Sequence, residues 1–568
     1  MLFKNHPKSR KFRRVWLNSA RLEHIVNFAH VRQIFFSNPQ REAQSVSPFL
    51  SVVFQKTLAT PSADNSFEYW SAKRTATIEN TSSVILNRGD MHWLSQRDCL
   101  AYEKLWKIYW WGSHRDEVLI RQLERFPKFS DLSKHFSAMQ VLPNRGFQEG
   151  NKANKAEWLK EYQELPPEAL RRYGPFDSGL LRDVPATVER RGVEDVYRGH
   201  RLLVGRGIKA GGLITARLET RKYAFRNSIH GVRLKGLEPW QEATIIAIFW
   251  SSLARYFYFT TSGSWGFWHD EIHLGDVEQM PICFPKDGEL RDRIVRVVSE
   301  LRRLDMPPAN MELFQGTAAD DLSRLEAELN KAVFELYGLT DAERDLIREK
   351  CSIGLDLFYQ HHRGKALHEV VQPPRDFGTL SDLPQSNEEL SAPLRAFLLP
   401  DTDEGLSAYL RTFLEAWNAE LAPDGEFIWR VLSPPSHAPL LAVSFTTRYR
   451  NDQRLDESGE HDAWPGVLAD LQRHSVIPAG TSRIFIDNFF RHVGDHQILF
   501  IKRNERRFWT RTAAREDAES ALTHLMNLED GVPGDREGAT RAPGSGRSEL
   551  GPSVRLCASR FLSADCYC

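Results

Sequence analysis

The chain has 568 residues, is 41% hydrophobic and 11% aromatic, and sets 75 lysines and arginines against 75 aspartates and glutamates. That supplies apolar material for several packed domains, and the zero net charge excludes a globally basic or acidic binder, so any electrostatic footprint must be local. No apolar run approaches the ~18 residues of a membrane span, and the basic start MLFKNHPKSRKFRR has no apolar h-region behind it. Six cysteines without a C-x-x-C pair indicate neither a disulfide framework nor a zinc site. The expectation is a cytoplasmic protein with no membrane partner.

The first sixty residues read as a basic helix, a strand and a second strand, from KSRKFRRVWLNSARLEHIVNFA to SPFLSVVFQK. This pattern fits the closing part of an α/β sheet without its earlier strands, which would leave an edge unpaired. From about 99 to 180, tryptophan-rich and charged segments predict helices joined by polar loops. Alternation around glycines over 196–235 predicts strands. The segment PWQEATIIAIFWSSLARYFYFT has apolar residues at helical spacing and predicts one buried helix of about five turns. Charged helical patterns fill 290–350, where Gly338 and then Thr340 and Asp341 mark a helix stop and the next N-cap. A proline-rich stretch over 371–390 reads as a linker, a compact unit with strands and terminal helices as 391–530, and the glycine-, proline- and charge-rich end over 531–568 as a disordered tail.

The stretch GRGIKAGG, residues 205–212, carries four glycines behind the apolar run LLV. A phosphate or dinucleotide cradle needs a helix directly after the loop, because the helix N-terminus supplies the N–H groups that hold the phosphate. Here strand-like alternation follows in GLITARLE, and the spacing fits neither G-x-G-x-x-G nor a P-loop. Charge points elsewhere. Arg198, Arg201, Arg206, Lys209, Arg217, Arg221, Lys222, Arg226, Arg233 and Lys235 stand against one acid, Glu219, with Tyr223, Phe225, Asn227 and His230 interleaved. Arginine pairs with phosphates or guanine edges in bidentate fashion, and glycine lets backbone approach a polyanion. The competing reading is a solvated sheet face.

The succession YRGHRLLVGRGIKAGGLITARLETRKYAFRNSIHGVRL, then SSLARYFYF, TSGSWG and DVEQMPICFP, resembles the C-terminal specificity region of adenine-N6 DNA methyltransferases of restriction-modification and phage-defence systems. The likeness runs from the N-terminus to about residue 370. It implies the closing part of a Rossmann-like methyltransferase sheet over 1–98, a mixed α+β target-recognition domain over 99–290 and a helical region with a hairpin over 291–370. With the C-terminal α+β domain, the chain is expected to be an α/β and α+β multidomain protein. Double-stranded DNA is the implied partner, contacted by Arg206, Lys209, Arg217, Arg221, Lys222, Arg226, Asn227, Ser228, Trp265 and Trp268. The two tryptophans either wedge against DNA or fill a core. The loop 205–212 is then expected to be a flexible, cationic turn.

The same likeness implies S-adenosyl-L-methionine held on a glycine loop, and a flipped adenine stacked at an N/D/S-P-P-Y/F/W motif. Neither motif is found. SNPQR around Pro39 lacks the second proline and the aromatic, and SPPS at Ser433–Ser436 has serine where the stacking ring belongs. No catalytic or cofactor-binding residue is assigned, and the cofactor site is expected to lie outside this chain. An upstream-encoded catalytic half supplying it, or a truncated remnant, are the two expectations. A self-sufficient methyltransferase with unrecognised motifs and a scaffold docking other defence proteins are the alternatives. His361, His362 and His368 lack ligand partners at metal spacing. Lys502, Arg503, Arg506, Arg507, Arg511 and Arg515 around Trp509 form a second basic stretch, read equally as a phosphate-binding surface or a solvated helix start.

Overall fold

The computed structural model describes residues 7–32, 48–57, 65–75, 84–150, 157–185, 187–267, 269–304, 317–384, 405–432, 440–449, 484–487, 490–493 and 497–529. These form a mixed α/β protein with several small sheets, divided into two compact units. The first comprises 1–73, 91–359 and 388–401; the second takes 74–90, 360–387 and 402–568. Pro39, the Ser433–Ser436 motif, Trp268 and the expected tail at 531–568 lie outside the described residues.

In the first unit, the helix Pro7–Ser19 leads into the strand Ala20–Asn27. That strand pairs antiparallel with Leu50–Lys56 and parallel with Ser66–Ser71, which pairs antiparallel with Met91–Ser95. Leu50–Lys56 is the sheet edge, and Val53 and Phe54 on it are exposed. One buried amide locks the helix to the sheet: Gln96 donates to the carbonyls of Leu17 and Ala20 and accepts from the Leu22 N–H. The tryptophan-rich run becomes the helix Leu105–Trp111, whose Trp106 and Trp110 are fully buried.

The basic segment folds into a four-stranded antiparallel sheet in the order Ala216–Glu219, Arg201–Gly205, Ile229–Lys235, Gln140–Arg145. Behind it runs the apolar segment read as one helix. It is two, Pro239–Trp250 and Ser252–Thr261. Ser251 adopts an extended backbone, accepts from the Ala254 N–H and donates to the Ile248 carbonyl, while Asn330 accepts from the freed N–H of Ser252. A serine that satisfies groups on both sides of a break offsets part of the cost of interrupting the helix. Gly338, at φ 63°, stops the helix Thr317–Leu336, and Thr340 with Glu343 closes a capping box on Asp341–Glu349, as the local signals require.

In the second unit a five-stranded sheet, ordered Phe377–Gly378, Gly425–Leu432, Leu440–Tyr449, Gln497–Arg503, Phe490–Val493, packs one face on the helices Leu406–Leu421 and Arg511–Glu529. Phe413 stacks on Phe445 at 4.0 Å between centroids in that core. The expected linker is partly structure: Phe377–Gly378 forms the edge strand, Val431 donates to the Asp376 carbonyl at 2.6 Å, and Leu383 is buried. The strand Val84–Asn87 also belongs here, paired parallel with Ile484–Asp487.

Candidate nucleic-acid interface

The glycine loop is not followed by an α-helix. One 3-10 turn, Ala210–Gly212, leads into the strand Ala216–Glu219. Nor is the loop a free turn, because Arg206 N–H donates to Ser228, Ile208 N–H to Asp270 and Ile272 N–H back to Arg206. Arg255, fully buried, donates to the Gly211 carbonyl at 2.8 Å. Gly211 and Gly212 both sit at φ 75°, a left-handed backbone that favours glycine. The expected flexibility is therefore corrected: these glycines serve a tightly braced bend.

Charge in the basic segment is also redistributed by folding. Arg206 pairs with Glu271 at 2.8 Å, Arg198 with Glu194 at 3.5 Å, Lys222 with Glu161 at 3.4 Å and Lys235 with Asp195 at 3.0 Å. Arg226 grips the fully buried Glu164 at 2.6 Å and also reaches Glu149. Arg217, only 9% exposed, donates to the Gly174 carbonyl at 3.1 Å, and Arg221 pairs with Glu219 while lying over Phe176. Lys209 is exposed and forms no ion pair with a described carboxylate. Arg217 and Trp265 are interior residues: the Trp265 ring is fully buried and its Nε1 donates to the Tyr359 hydroxyl at 2.9 Å. Of the two roles open to Trp265, core filling is the one its burial supports.

A cleft of about 1260 Å³ opens elsewhere in the same unit, between the helix Pro7–Ser19 and the antiparallel sheet. It exceeds the ~300–1,000 Å³ usual for small-molecule pockets. Eight arginines and lysines line it against four carboxylates. Four of the cations are tied: Arg10 and Arg13 share Glu103 at 2.8 and 2.7 Å, Lys104 pairs with Glu124, and Arg206 with Glu271. The other four, Arg14, Lys128, Arg145 and Arg190, are exposed and form no ion pair with a described carboxylate.

The fold brings these four together from separate stretches. Glu103 fixes the N-terminal helix by its two arginines, leaving Arg14 on the cleft. Lys128 is bracketed by the segment DVEQMPICFP, since Phe129 N–H donates to Met280 and Ile282 N–H to Pro127, both at 2.8 Å. Arg145 ends a sheet strand opposite His230. Arg190 is held by its carbonyl, which accepts from Gln148 N–H at 2.8 Å. Asn227 joins them through its N–H to the Phe147 carbonyl at 2.7 Å. Gly146 permits this close approach, as a Cβ there would run into the Phe225 carbonyl.

No family model matches the sequence, and none of the curated proteins matches it. The chemistry of the cleft therefore rests on its own side chains.

His230 lies under the cleft, 1% exposed, with Nε2 on the Ile272 carbonyl at 3.0 Å. Burial pushes its imidazole down to about 4, so it is neutral at pH 7 and Nε2 carries the proton that the carbonyl accepts. Burial raises the carboxyls of Asp276 and Glu278, with Arg145 opposing the rise at Glu278. Lys107, fully buried beneath the Trp265 turn and donating to its carbonyl at 2.6 Å, is pulled down to about 7 by desolvation. With His230 neutral below it and eight lysines and arginines against four carboxylates around it, the cleft has an excess of cations in its lining.

Among the described residues no glycine-rich loop runs from a strand into a helix N-terminus. No group of three His, Cys, Asp or Glu side chains gathers as a metal site among them, His361, His362 and His368 included. No described helix is long and apolar enough to cross a membrane.

Three cations of the distal basic stretch are tied to carboxylates within the fold. Lys502 is buried against Asp517, Arg507 is held by Asp90 and Glu505 at 2.8 Å each, Arg503 reaches Glu505 and Trp509 is buried. Of the expected contact residues, Arg206 and Asn227 line the cleft; Arg14, Lys128, Arg145 and Arg190 were not singled out by the sequence.

Proposed function

We propose that the first unit grips double-stranded DNA in this cleft, as the target-recognition portion of a site-specific adenine-N6 methyltransferase of the restriction-modification or phage-defence type, with the methyl-transfer machinery supplied by a separate catalytic half. The observation that carries the reading is the set of four exposed cations, Arg14, Lys128, Arg145 and Arg190, that form no ion pair with a described carboxylate and gather around a groove larger than the usual small-molecule pocket. Fixed cations facing one groove neutralise successive phosphates and release their counterions. The small mixed sheet at the N-terminus, with its exposed edge strand Leu50–Lys56, is read as the closing part of a Rossmann-like methyltransferase sheet.

Fluorescence anisotropy with a labelled duplex at 50 to 200 mM salt tests this. Each neutralised phosphate contributes about 0.9 to the slope of log K against log salt. Replacing all four cations by alanine is expected to flatten the slope by about 3 to 4. A wild-type affinity indifferent to salt, or a quadruple variant with an unchanged slope, would refute the reading.

A further inference from the structure

Three buried amides elsewhere in the first unit are consumed by the fold. Asn27 donates to the Tyr69 hydroxyl and accepts from Ala29 N–H, Asn65 bonds to Leu22 and Gln96, and Gln96 itself makes four such bonds. Gln148, Asn227 and Gln279 differ: all three line the cleft, all are half-buried, and none of their side-chain amides has a hydrogen-bond partner among the described residues. Gln148 and Asn227 are the two joined to each other's neighbourhood through Phe147 and Arg190. Their backbones, by contrast, are fixed: Gln148 is bridged to Arg190, Asn227 donates to Phe147, and Phe147 lies opposite Arg226 in a parallel bridge. Two carboxamides on a fixed backbone thus line the same cleft as Arg145 and Arg190, which form no ion pair with a described carboxylate.

A carboxamide offers one donor and one acceptor in a plane, the complement of the N6 and N7 groups of adenine in the major groove. Phosphate-bound arginines set register, and the groups beside them meet base edges. We infer that Gln148 and Asn227 read adenine in A·T pairs, while Arg145 and Arg190 hold the flanking phosphates. The inference rests on the reading of the cleft as a duplex-binding groove.

Selection from a randomised duplex pool, followed by sequencing of the bound fraction, tests it on the full chain. The wild type is expected to enrich A·T pairs at one or two fixed positions. Asn227→Ala and Gln148→Ala should each lose enrichment at one of them, with discrimination falling by about 5- to 150-fold for a bidentate contact and the salt slope unchanged. Arg145→Ala and Arg190→Ala should instead weaken binding to all sequences and each lower the slope by about 1. Since neither amide side chain is bonded within the fold, unaltered thermal melting of the two alanine variants is expected, and each checks the other. Enrichment of a sequence that both amide variants retain in full overturns the inference and leaves the DNA reading standing. Absence of salt-dependent duplex binding by the wild type overturns both.

Discussion

Arg226→Ala separates a phosphate contact from a structural tie. Glu164 has a fully buried side chain, and its carboxylate is held by Arg226 at 2.6 Å and by the half-exposed Arg182 at 2.9 Å. Breaking a buried pair by removing one partner costs about 3–5 kcal/mol, because an uncompensated charge stays inside. Arg182 remains on one oxygen, and Arg226 itself is 30% exposed, so the expected loss falls at or below the bottom of that range, about 2–3 kcal/mol. Urea unfolding at pH 7 measures it, in parallel with Glu164→Gln and the double variant. If the pair is the cause, the double variant loses less than the sum of the singles. An Arg226→Ala protein with unchanged unfolding midpoint and weakened duplex affinity would refute the assignment and return Arg226 to the DNA surface.

Trp265→Ala should cost about 3–5 kcal/mol by leaving a cavity in the core, read as a lowered unfolding midpoint, with Trp265→Phe losing less. Gly212→Ala forces a side chain at φ 75° against Leu355 at 3.0 Å and Trp265 at 3.1 Å, so it should destabilise by about 1–3 kcal/mol in the same assay. His230 carries a pH dependence: its pKa falls from an ordinary 6.5 to about 4 in the fold. Below pH 6.5 the unfolded chain takes up a proton that the native state refuses, so stability present above that pH is lost progressively down to about 4, by about 3 kcal/mol in total. Urea midpoints between pH 7 and 4.5 should fall less steeply in His230→Asn than in the wild type; parallel profiles would refute the assignment.

Local signals were readable in the sequence wherever one residue decides the structure. Gly338 and Thr340 end and start helices by their own backbone chemistry, and a strand follows GRGIKAGG as its alternation requires. The break at Ser251 escaped because its partner, Asn330, is far along the chain. The basic excess of 198–235 was visible, yet its neutralisation was not: Glu149, Glu161, Glu164, Glu194, Asp195 and Glu271 all lie outside that window. The cleft reverses the pattern. Arg14, Lys128, Arg145 and Arg190 are unremarkable in their own neighbourhoods and become a surface only when four segments are folded together.

The strand Val84–Asn87 carries a consequence for how this protein can be taken apart. Residues 74–90 leave the first unit, contribute a strand and Asp90 to the second, and return at Met91. A protease cutting once near 360 would therefore yield two pieces that still share a threaded segment, expected to co-migrate until denatured. A fragment beginning at 360 would lack the strand partner of Ile484–Asp487 and one carboxylate on Arg507. Residues 74–90 are thus a running stitch: by sequence they are flanked on both sides by the first unit, and by strand pairing they belong to the second.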